Sequence, residues 1–261
     1  MNEVKTYVIT GAGSGIGEAC AYRLADEGAQ LVLIGRRREP LEEVAARTGG
    51  LVLTGNAASS ADWETFIPRI IERFGRIDGL VASAGGLGQG TALETSDTRW
   101  QQAMQSNLDT AFYSVRACLP SLIERRGAVV LLGSIASLAA GGGVCSYTTA
   151  KHALIGLTRS LAKDYGPAGV RVNAVCPGWV KTPMADEEMQ PLMQHYGESL
   201  EAAYSRVTRD VPLRRPATSA EIAEVCRFLL SPEASIITGA SIVADGGSSI
   251  VDVPTLAYEH L

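Results

Sequence analysis

The chain has 261 residues, of which 46% are hydrophobic and 20% charged, a balance typical of a globular protein with a large core. Its formal net charge of −5 argues against nucleic acid as a main partner. No apolar run approaches the roughly 18 residues that a membrane span needs, and the first five residues lead at once into a predicted strand and leave no room for a signal peptide, so we expect a cytoplasmic protein without a membrane partner.

Short β-branched runs alternate with helical patterns along the chain, which predicts βαβ units and a parallel sheet. The predicted strands cover residues 4–10, 30–35, 50–54, 77–83, 127–134, 170–176 and 239–244. The predicted helices cover residues 15–28, 39–48, 60–75, 97–121, 146–166 and 218–231, the last opened by a capping box of Thr218 and Glu221. The sequence thus predicts one α/β domain over residues 1–261, with about seven strands and helices on both faces of the sheet.

Residues 181–216 interrupt this alternation. They are rich in Met, Pro, Tyr and charged residues and contain helical patterns but no predicted strand. A long insertion after the carboxyl end of a strand usually lines the ligand crevice of such a fold. Five side chains in or beside the segment fit either a substrate wall or the core of a short helix: Trp179, Met184, Met189, Met193 and Tyr196.

A glycine-rich turn joins the first predicted strand to the first predicted helix. Gly11, Gly15 and Gly17 are spaced G-x-x-x-G-x-G, with Ser14 and Ile16 between them. Glycines let the backbone turn tightly and approach a pyrophosphate, while the helix N-terminus offers free N–H groups to the phosphate charge. Although the spacing differs from the general G-x-G-x-x-G pattern, the strand, turn and helix together indicate a dinucleotide-binding site.

Arg36 and Arg37 follow the second predicted strand and Gly35, where many dinucleotide folds place a carboxylate for the ribose 2′-hydroxyl. An arginine instead pairs well with a phosphate through two charge-assisted hydrogen bonds. We therefore expect NADP(H) as the cofactor, held by Arg36 with help from Arg37, and keep NAD(H) as the second choice. The alternative is that these arginines only form the solvated start of the next helix.

Tyr147 and Lys151 are four residues apart, so they share one face of the helix predicted over residues 146–166. A tyrosine with its ordinary pKa of about 10 is a poor acid or base at neutral pH. A neighbouring ammonium group favours the phenolate, and we expect Lys151 to lower the pKa of Tyr147 toward the working range. Ser134, at the end of a predicted strand, and Asn107, within a predicted helix, lie upstream.

Taken in order, these motifs resemble those of the classical short-chain dehydrogenase/reductase family over about residues 6–247. The matching positions are residues 10–17, Ser83-Ala84-Gly85, Asn107, Ser134, Tyr147, Lys151 and Pro177-Gly178. The resemblance implies a Rossmann-type, doubly wound fold and an oxidoreductase that transfers a hydride to or from NAD(P)(H). It also implies that residues 181–216 form a lid over the substrate.

The resemblance assigns a role to each of four residues. Tyr147 is the proton donor in reduction and the acceptor in oxidation, while Lys151 tunes its pKa and binds the nicotinamide ribose. Ser134 donates to the substrate oxygen and stabilises the charge that develops there. Asn107 holds a water that connects the lysine to solvent.

The resemblance further implies contacts to the adenosine half of the cofactor. Asn56 stands where the family often has Asp, and its carbonyl oxygen is expected to accept from the adenine amino group. Ala57 replaces a usual Val or Leu beside it. Ala84 and Gly85 leave space next to the ribose, after Ser83 in place of the family's Asn.

A Pro-Gly turn follows the sixth predicted strand, at Pro177 and Gly178. The resemblance places the backbone of Val180 and the hydroxyl of Thr182, just after this turn, against the nicotinamide carboxamide. Holding that amide would determine which face of the ring points at the substrate. The alternative is an ordinary turn with no ligand.

Two glycine-rich segments, residues 85–90 and 141–143, predict an open wall and a roomy pocket for a bulky or cyclic ketone or secondary alcohol. A 3-oxoacyl thioester reductase would use the same four residues, and Lys181, Arg206 and Arg209 keep that alternative open. A non-catalytic dinucleotide-binding sensor is the hypothesis from another class, against which the intact set of four residues argues.

The five cysteines are scattered, odd in number and lack a C-x-x-C pair, and the three histidines are dispersed. We expect neither disulfides nor a metal site. The resemblance implies a homotetramer with two-fold axes, acting on a small-molecule carbonyl or alcohol. The apolar tail, residues 251–258, fits either packing across a neighbouring subunit or disorder.

Overall fold

The computed structural model describes residues 3–258; the first two residues of the N-terminal segment and the last three of the chain lie outside it. Nine strands form within this range. They are β1 (Thr6–Thr10), β2 (Gln30–Gly35), β3 (Leu51–Thr54), β4 (Gly79–Ala82), β5 (Ala128–Leu132), β6 (Arg171–Pro177), β7 (Val180–Lys181), β8 (Ala217–Thr218) and β9 (Ser241–Ala244). Seven of them make one sheet of order β3-β2-β1-β4-β5-β6-β9, in which each neighbouring pair is parallel. The predicted doubly wound parallel sheet is confirmed.

Helices connect the strands and cover both faces of the sheet. They are α1 (Gly15–Ala25), α2 (Arg38–Thr48), α3 (Ser60–Phe74), α4 (Asp97–Met104), α5 (Thr110–Arg125), α6 (Cys145–Tyr165), α7 (Pro183–Tyr196), α8 (Leu200–Val207) and α9 (Ser219–Leu230). Among the described residues, no helix is both long and apolar enough to cross a membrane.

The strands are apolar on both faces because each face carries a helical layer. Along β1, Val8 belongs to the core under α3, α5 and α6, whereas Tyr7 and Ile9 belong to the core under α1, α2 and α9. The same alternation occurs along β2 and β4, as the two-residue period of a strand requires. The two cores fix the sheet and hold the carboxyl ends of its strands at one edge.

The helix predicted over residues 97–121 is different in the structure. It is divided by a π-helical turn, Gln105–Asp109, which contains Asn107, and it continues beyond the predicted end to Arg125. A π turn inserts one extra residue per turn and is frequent at functional sites. Since the helical period alone carried the prediction, the break was not visible in the sequence.

The predicted segment over residues 181–216 also needs a correction, because Lys181 at its start lies in a strand. The short strands β7 and β8 pair in parallel at the base of the segment, with Val180 opposite Ala217 and Lys181 opposite Thr218. Helices α7 and α8 lie between them. The predicted capping box of Thr218 and Glu221 is present and begins α9 directly after β8.

Candidate active site

The glycine turn after β1 is closed so tightly that a side chain has no room at its third glycine. A Cβ atom added to Gly17 would lie 2.3 Å from the carbonyl oxygen of Gly11, well inside any allowed contact. Gly11 and Gly15 have φ angles of 67° and 58°, a left-handed conformation that glycine adopts without strain. The turn then enters α1 at Gly15, so the N–H groups of its first turn face the carboxyl edge of the sheet.

Two other predicted cofactor segments meet this turn. A Cβ on Gly11 would be 3.0 Å from the backbone of Ala84, and the Thr10 hydroxyl accepts a hydrogen bond of 3.2 Å from the Ala84 amide. A Cβ on Gly15 would be 3.1 Å from Cγ2 of Thr182. The structure therefore places the turn, the segment after β4 and the segment after β6 around one crevice.

Two positively charged side chains, Arg36 and Arg37, follow the end of β2. Arg36 and Arg37 are exposed and form no ion pair or hydrogen bond through their side chains within residues 3–258. Arg38, the next residue, pairs with Glu42 one turn further along α2, at 3.0 Å. The first two guanidinium groups are thus available to an anionic ligand, while the third is partnered within its helix.

Asn56 is held in place by its surroundings after β3. Its side-chain carbonyl accepts from the amide of Ala58 at 3.0 Å, and its own amide donates to the carboxylate of Asp62 at 2.5 Å. Ala57 beside it is buried, and its carbonyl oxygen accepts from the indole of Trp63 at 2.9 Å. The carbonyl of Asn56 retains one free lone pair toward a ligand. Asp62 was not recognised from the sequence, because an acidic residue in a first helical turn is common.

Lys151 and Asn107 meet beside Gly85. A Cβ on Gly85 would be 3.3 Å from Oδ1 of Asn107 and 3.9 Å from the Lys151 ammonium. The Asn107 oxygen accepts from the Gly86 amide at 3.2 Å, and its nitrogen donates to the carbonyl of Ala103 at 3.0 Å. Both Asn107 and Lys151 are buried. The side chain of Asn107 therefore fastens the π turn to the loop after β4, on the floor of the crevice.

The side chain of Ser134 lies near the Tyr147 phenol, where it acts to lower the pKa of that group. Ser134 begins a single turn of 3-10 helix, where its hydroxyl accepts from the amide of Ala136 at 3.1 Å. The amide of Ser134 in turn donates to the hydroxyl of Ser137 at 3.1 Å. This reciprocal capping box fixes the serine backbone at the end of β5, with its O–H free to donate.

We expected Lys151 to lower the pKa of Tyr147, and this prediction is wrong, because the pKa of Tyr147 is raised in the structure. Burial raises the pKa of Tyr147 more than the Ser134 side chain lowers it, and the negative charge of Glu188 adds the smallest of the three effects, which raises the pKa further. The Lys151 ammonium is 5.6 Å from the tyrosine ring centre and donates to the carbonyl of Leu132 at 2.8 Å. Burial lowers the pKa of Lys151 itself to about 8.

Gly88 is a close-contact position that the sequence did not distinguish from its neighbouring glycines. A Cβ there would be 2.8 Å from the amide of Tyr147 and 2.9 Å from the hydroxyl of Ser146. The Ser146 hydroxyl donates to the Gly88 carbonyl at 3.2 Å, and Gly90 donates to the carbonyl of Gly143 at 2.7 Å. The two glycine-rich segments therefore contact each other and fix the backbone position of Tyr147. Among the glycines of these segments, Gly142 and Gly143 face open space.

The segment after β6 is fixed on both sides. Pro177 ends β6 opposite Ala244, and a Cβ on Gly178 would be 3.0 Å from Asp245. Thr182 then caps α7, accepting from the Ala185 amide at 3.2 Å. Because capping uses the oxygen as an acceptor, the threonine O–H can still donate to a ligand. Val180 is buried in β7, next to this cap.

Three of the five predicted wall residues belong to the core of the helical insertion. Met189 is fully buried, and Trp179 and Met193 pack around it. Met184 and Tyr196 are exposed, and Tyr196 lies under the guanidinium of Arg206, with 3.7 Å to the ring centre. The alternative of a helix core therefore holds for Trp179, Met189 and Met193.

Comparison with known proteins agrees with this arrangement. The family model described as "Enoyl-(Acyl carrier protein) reductase" matches residues 11–249. The meso-2,3-butanediol dehydrogenase of Serratia marcescens is 35% identical over 95% of this chain and 96% of its own length. The chain belongs to the short-chain dehydrogenase/reductase family. It is therefore an oxidoreductase of the class that acts on alcohol and carbonyl groups.

Other relatives of this short-chain dehydrogenase/reductase match nearly the whole chain as well. Protein MoaE of Klebsiella aerogenes is 55% identical over 97% of this chain and 99% of its own. A crystal structure of a variant actinorhodin polyketide ketoreductase with NADPH superposes with a TM-score of 0.87, at 31% identity over 94% of this chain and 97% of that one.

The crevice fits the NAD(P)(H) that the family uses. Gly17 admits no Cβ, the first turn of α1 presents free amides, and Arg36 and Arg37 are unpaired cations at the adenosine end. These are the features that a dinucleotide pyrophosphate and a ribose phosphate require. Within residues 3–258, no group of three His, Cys, Asp or Glu side chains is placed to hold a metal ion.

Proposed function

We propose that this protein interconverts ketones and secondary alcohols with NADP(H) as its preferred cofactor. The observation that carries the proposal is the convergence of three groups in one crevice. The Ser134 side chain lies near the Tyr147 phenol, and the Lys151 ammonium lies 5.6 Å from the tyrosine ring, in the crevice of the glycine turn that fits a dinucleotide. The substrate proposed is a bulky or cyclic one, and residues 181–216 would cover it as a lid on a single domain.

Each residue of the crevice has a part in the proposed reaction. NADP(H), when bound, supplies or accepts the hydride. Ser134 would donate its hydrogen bond to the substrate oxygen, and Tyr147 would give that oxygen its proton in reduction or remove it in oxidation. Lys151 would bind the nicotinamide ribose, and the segment fastened by Asn107 would hold the water of a proton relay. Since burial raises the pKa of Tyr147, the phenol is protonated at neutral pH, which is the form that reduction requires.

The proposed cofactor contacts follow the crevice from one end to the other. The pyrophosphate would lie on the turn, the 2′-phosphate on the two free arginines, the adenine beside the loop after β3, and the carboxamide beside the cap of α7. The ribose of the nicotinamide would lie between the adenine and the carboxamide. In chain order, the proposed contact residues are Gly11, Ser14, Gly15, Ile16, Gly17, Arg36, Arg37, Asn56, Ala57, Ala84, Gly85, Asn107, Tyr147, Lys151, Pro177, Gly178, Val180 and Thr182.

The relatives support both directions of the reaction. One relative is named a dehydrogenase of a secondary diol, and one structural neighbour is named a ketoreductase and contains NADPH. A non-catalytic sensor would not need Tyr147 packed against Gly88, nor Ser134 fixed by a capping box. The retention of both arrangements favours an enzyme.

The lid offers little to an acidic carrier, which argues against the alternative of a 3-oxoacyl thioester reductase. Lys181 pairs with Glu201 at 2.8 Å, and Arg206 pairs with Glu198 at 2.8 Å. Arg209 lies 3.5 Å from the carboxylate of the neighbouring Asp210. The cations that would bind a carrier phosphate are therefore already matched by carboxylates of the lid.

The proposed function is tested by initial rates with NADPH and NADH on cyclic, aromatic and thioester carbonyls, and in reverse on the corresponding alcohols. We expect turnover of free ketones above that of thioesters, and a higher kcat/KM with NADPH than with NADH. Quenching of cofactor fluorescence without turnover on any substrate would favour the sensor instead.

The choice of cofactor depends on the free arginines after β2. Replacing Arg36 by Ala should lower the NADPH to NADH ratio of kcat/KM by about 10-fold or more, because a charge-assisted bond to the 2′-phosphate is lost. Arg38→Ala is the matched control, since that guanidinium is already paired with Glu42. An equal change in both variants would contradict the assignment.

We also propose a cytoplasmic homotetramer. Trp100 on α4 and Phe112 on α5 are both exposed aromatic side chains, as an interface between subunits would require.

A further inference from the structure

A second cleft lies at the amino edge of the sheet, opposite the edge that holds the cofactor crevice. Residues that begin or directly precede β1, β4, β5 and β6 line it. Backbone hydrogen bonds hold these strand starts together, since the amide of Asp78 donates to the carbonyl of Thr6 at 2.8 Å and that of Ala128 to the carbonyl of Asp78 at 3.1 Å. The cleft has a volume of about 630 Å³, within the range of small-molecule sites, and the proposed reaction does not use it.

Positive charge predominates among the side chains that line this amino-edge cleft. The cations are Lys5, Arg125, Arg126 and Arg171, against a single carboxylate. That carboxylate, Asp78, is already paired with Arg76. Arg125 is paired with the exposed Glu3, at 2.5 Å. A cleft lined by charges of one sign concentrates ions of the opposite sign, and here it does so in a protein whose formal net charge is −5.

The other three cations have no carboxylate partner in the part of the chain that the structure describes. Lys5 and Arg126 form no side-chain hydrogen bond or ion pair there. Arg171 donates to the carbonyls of Leu229 at 2.7 Å and Ser231 at 2.9 Å, which orients its guanidinium group without neutralising it. Burial lowers the pKa of Arg171, as expected of a cation that has lost water and gained no counter-charge.

Arg126 occupies a position where glycine is usual. It directly follows the last residue of α5 and has a φ angle of 51°, the left-handed conformation in which many helices end on a glycine. Gly169 leaves space for its side chain, because a Cβ on Gly169 would be 2.9 Å from Cγ of Arg126. The fold therefore tolerates a strained arginine beside the cleft and makes room for its stem.

The wall of the cleft also has an apolar part. Ala128, Val170 and Leu230 line it, and all three are buried. Apolar surface favours the carbon body of a ligand and gives nothing to a bare inorganic ion. Three cations without counter-charges beside an apolar wall therefore fit an organic anion with more than one negative charge.

We propose that the amino-edge cleft binds a small organic oxyanion with two or three negative charges, a polycarboxylate or a phosphate ester. The guanidinium groups of Arg126 and Arg171 would bind its oxygens through paired, charge-assisted hydrogen bonds, and Lys5 would add a point charge. The carbon skeleton would lie on the apolar wall. Because the length of the sheet separates this cleft from the cofactor crevice, the site does not depend on the proposed reaction.

Isothermal titration calorimetry tests the site with tricarballylate as the polycarboxylate and glycerol 3-phosphate as the phosphate ester. Glycerol is the neutral control, and sodium chloride keeps the ionic strength equal in every titration. Wild type is compared with Lys5→Gln and Arg126→Gln, which break no ion pair within residues 3–258. Arg69→Gln, exposed on α3, controls for net charge, and Arg36→Gln controls for anions bound in the cofactor crevice. Thermal melts establish that each variant folds.

We expect at least one probe to bind wild type at one site per chain, and the tighter of the two identifies the kind of anion. Lys5→Gln and Arg126→Gln should each raise the Kd of that probe by about 10-fold, because a charge-assisted contact is lost. Arg69→Gln and Arg36→Gln should keep the wild-type Kd. The rise in Tm that the bound probe produces should shrink in the same two variants.

Absence of binding by both probes would overturn the proposal, as would an equal loss of affinity in Arg69→Gln and Arg126→Gln. Loss of binding in Arg36→Gln alone would place the anion in the cofactor crevice and would overturn it as well. Arg126→Lys keeps the charge and should retain more affinity than Arg126→Gln. Rates of ketone reduction without added anion should be those of wild type in Lys5→Gln and Arg126→Gln, so the proposed function is tested separately.

Discussion

The two edges of the parallel sheet hold buried charges in opposite ways. At the amino edge, Asp78 accepts two hydrogen bonds from Arg76, at 2.7 and 2.5 Å, and a third from the amide of Thr6 at 2.9 Å. At the carboxyl edge, Lys151 is equally buried but has a single carbonyl, that of Leu132, as its partner at 2.8 Å. The first charge is fully matched by the fold, and the second is not.

We interpret this difference by function: the paired charge of Asp78 stabilises the fold, whereas the poorly paired charge of Lys151 is available to a ligand. A buried ion without adequate partners costs free energy, and a protein tolerates it where a bound molecule will complete its surroundings. Lys151 lies at the carboxyl edge and has this property, and the exposed Arg36 after β2 likewise has no side-chain partner within residues 3–258. Variants at the two edges should therefore affect different quantities.

The largest effect is expected from removing the phenol oxygen. Tyr147→Phe should lower kcat by about 100- to 10,000-fold, the usual contribution of a general acid or base, while the cofactor still binds. Initial rates and cofactor fluorescence measure the two effects separately. Tyr165→Phe, at the other end of the same helix, is the control. Normal turnover in Tyr147→Phe would remove the basis of the proposed mechanism.

The opposite edge should respond in stability and not in catalysis. Asp78→Asn leaves Arg76 without its buried carboxylate and should lower the free energy of unfolding by about 3 kcal/mol. Because β4 separates Asp78 from the crevice, kcat and KM should change little. Urea unfolding and steady-state rates measure both. A large loss of activity in a folded Asp78→Asn protein would mean that the two edges are coupled and that the contrast fails.

Much of the fold could be predicted because its signals are local. The strands ended within a few residues of their predicted bounds, since β-branched runs between turn residues are short and distinct. The capping box at Thr218 also needed only two residues three apart. The short pair β7 and β8 was missed because each strand has two residues, too few for any period, and the pairing joins residues 37 positions apart.

The site could be predicted as a set of residues but not in its electrostatics. The spacing of Tyr147 and Lys151 correctly put them on one helix, yet the sequence does not show how deeply each is buried. Burial disfavours the charged form of each group, since it raises the pKa of Tyr147 and lowers that of Lys151. Glu188 gave no signal either, because a glutamate in a helix is ordinary until its neighbours are known.

The smallest effect, and the most direct test of the contrast, is the pH dependence of stability at Lys151. Burial lowers its pKa from 10.5 to about 8 in the folded chain, with a small opposing effect of Cys176. Between these values the unfolded chain binds more protons than the folded chain, so stability from this residue rises with pH. Below about pH 8 both states are charged and the full penalty remains.

Lys151→Met lacks this titration. Relative to the variant, the wild type should therefore gain about 2 to 3 kcal/mol in the free energy of unfolding between pH 7 and pH 10. Other groups that titrate in this range cancel, because both proteins contain them. Lys163→Met, exposed on the same helix, is the control and should run parallel to wild type. If the free energy of unfolding of Lys151→Met also ran parallel to that of wild type against pH, the charge of Lys151 would be compensated by other groups of the folded chain. The contrast between the two edges of the sheet would then fail.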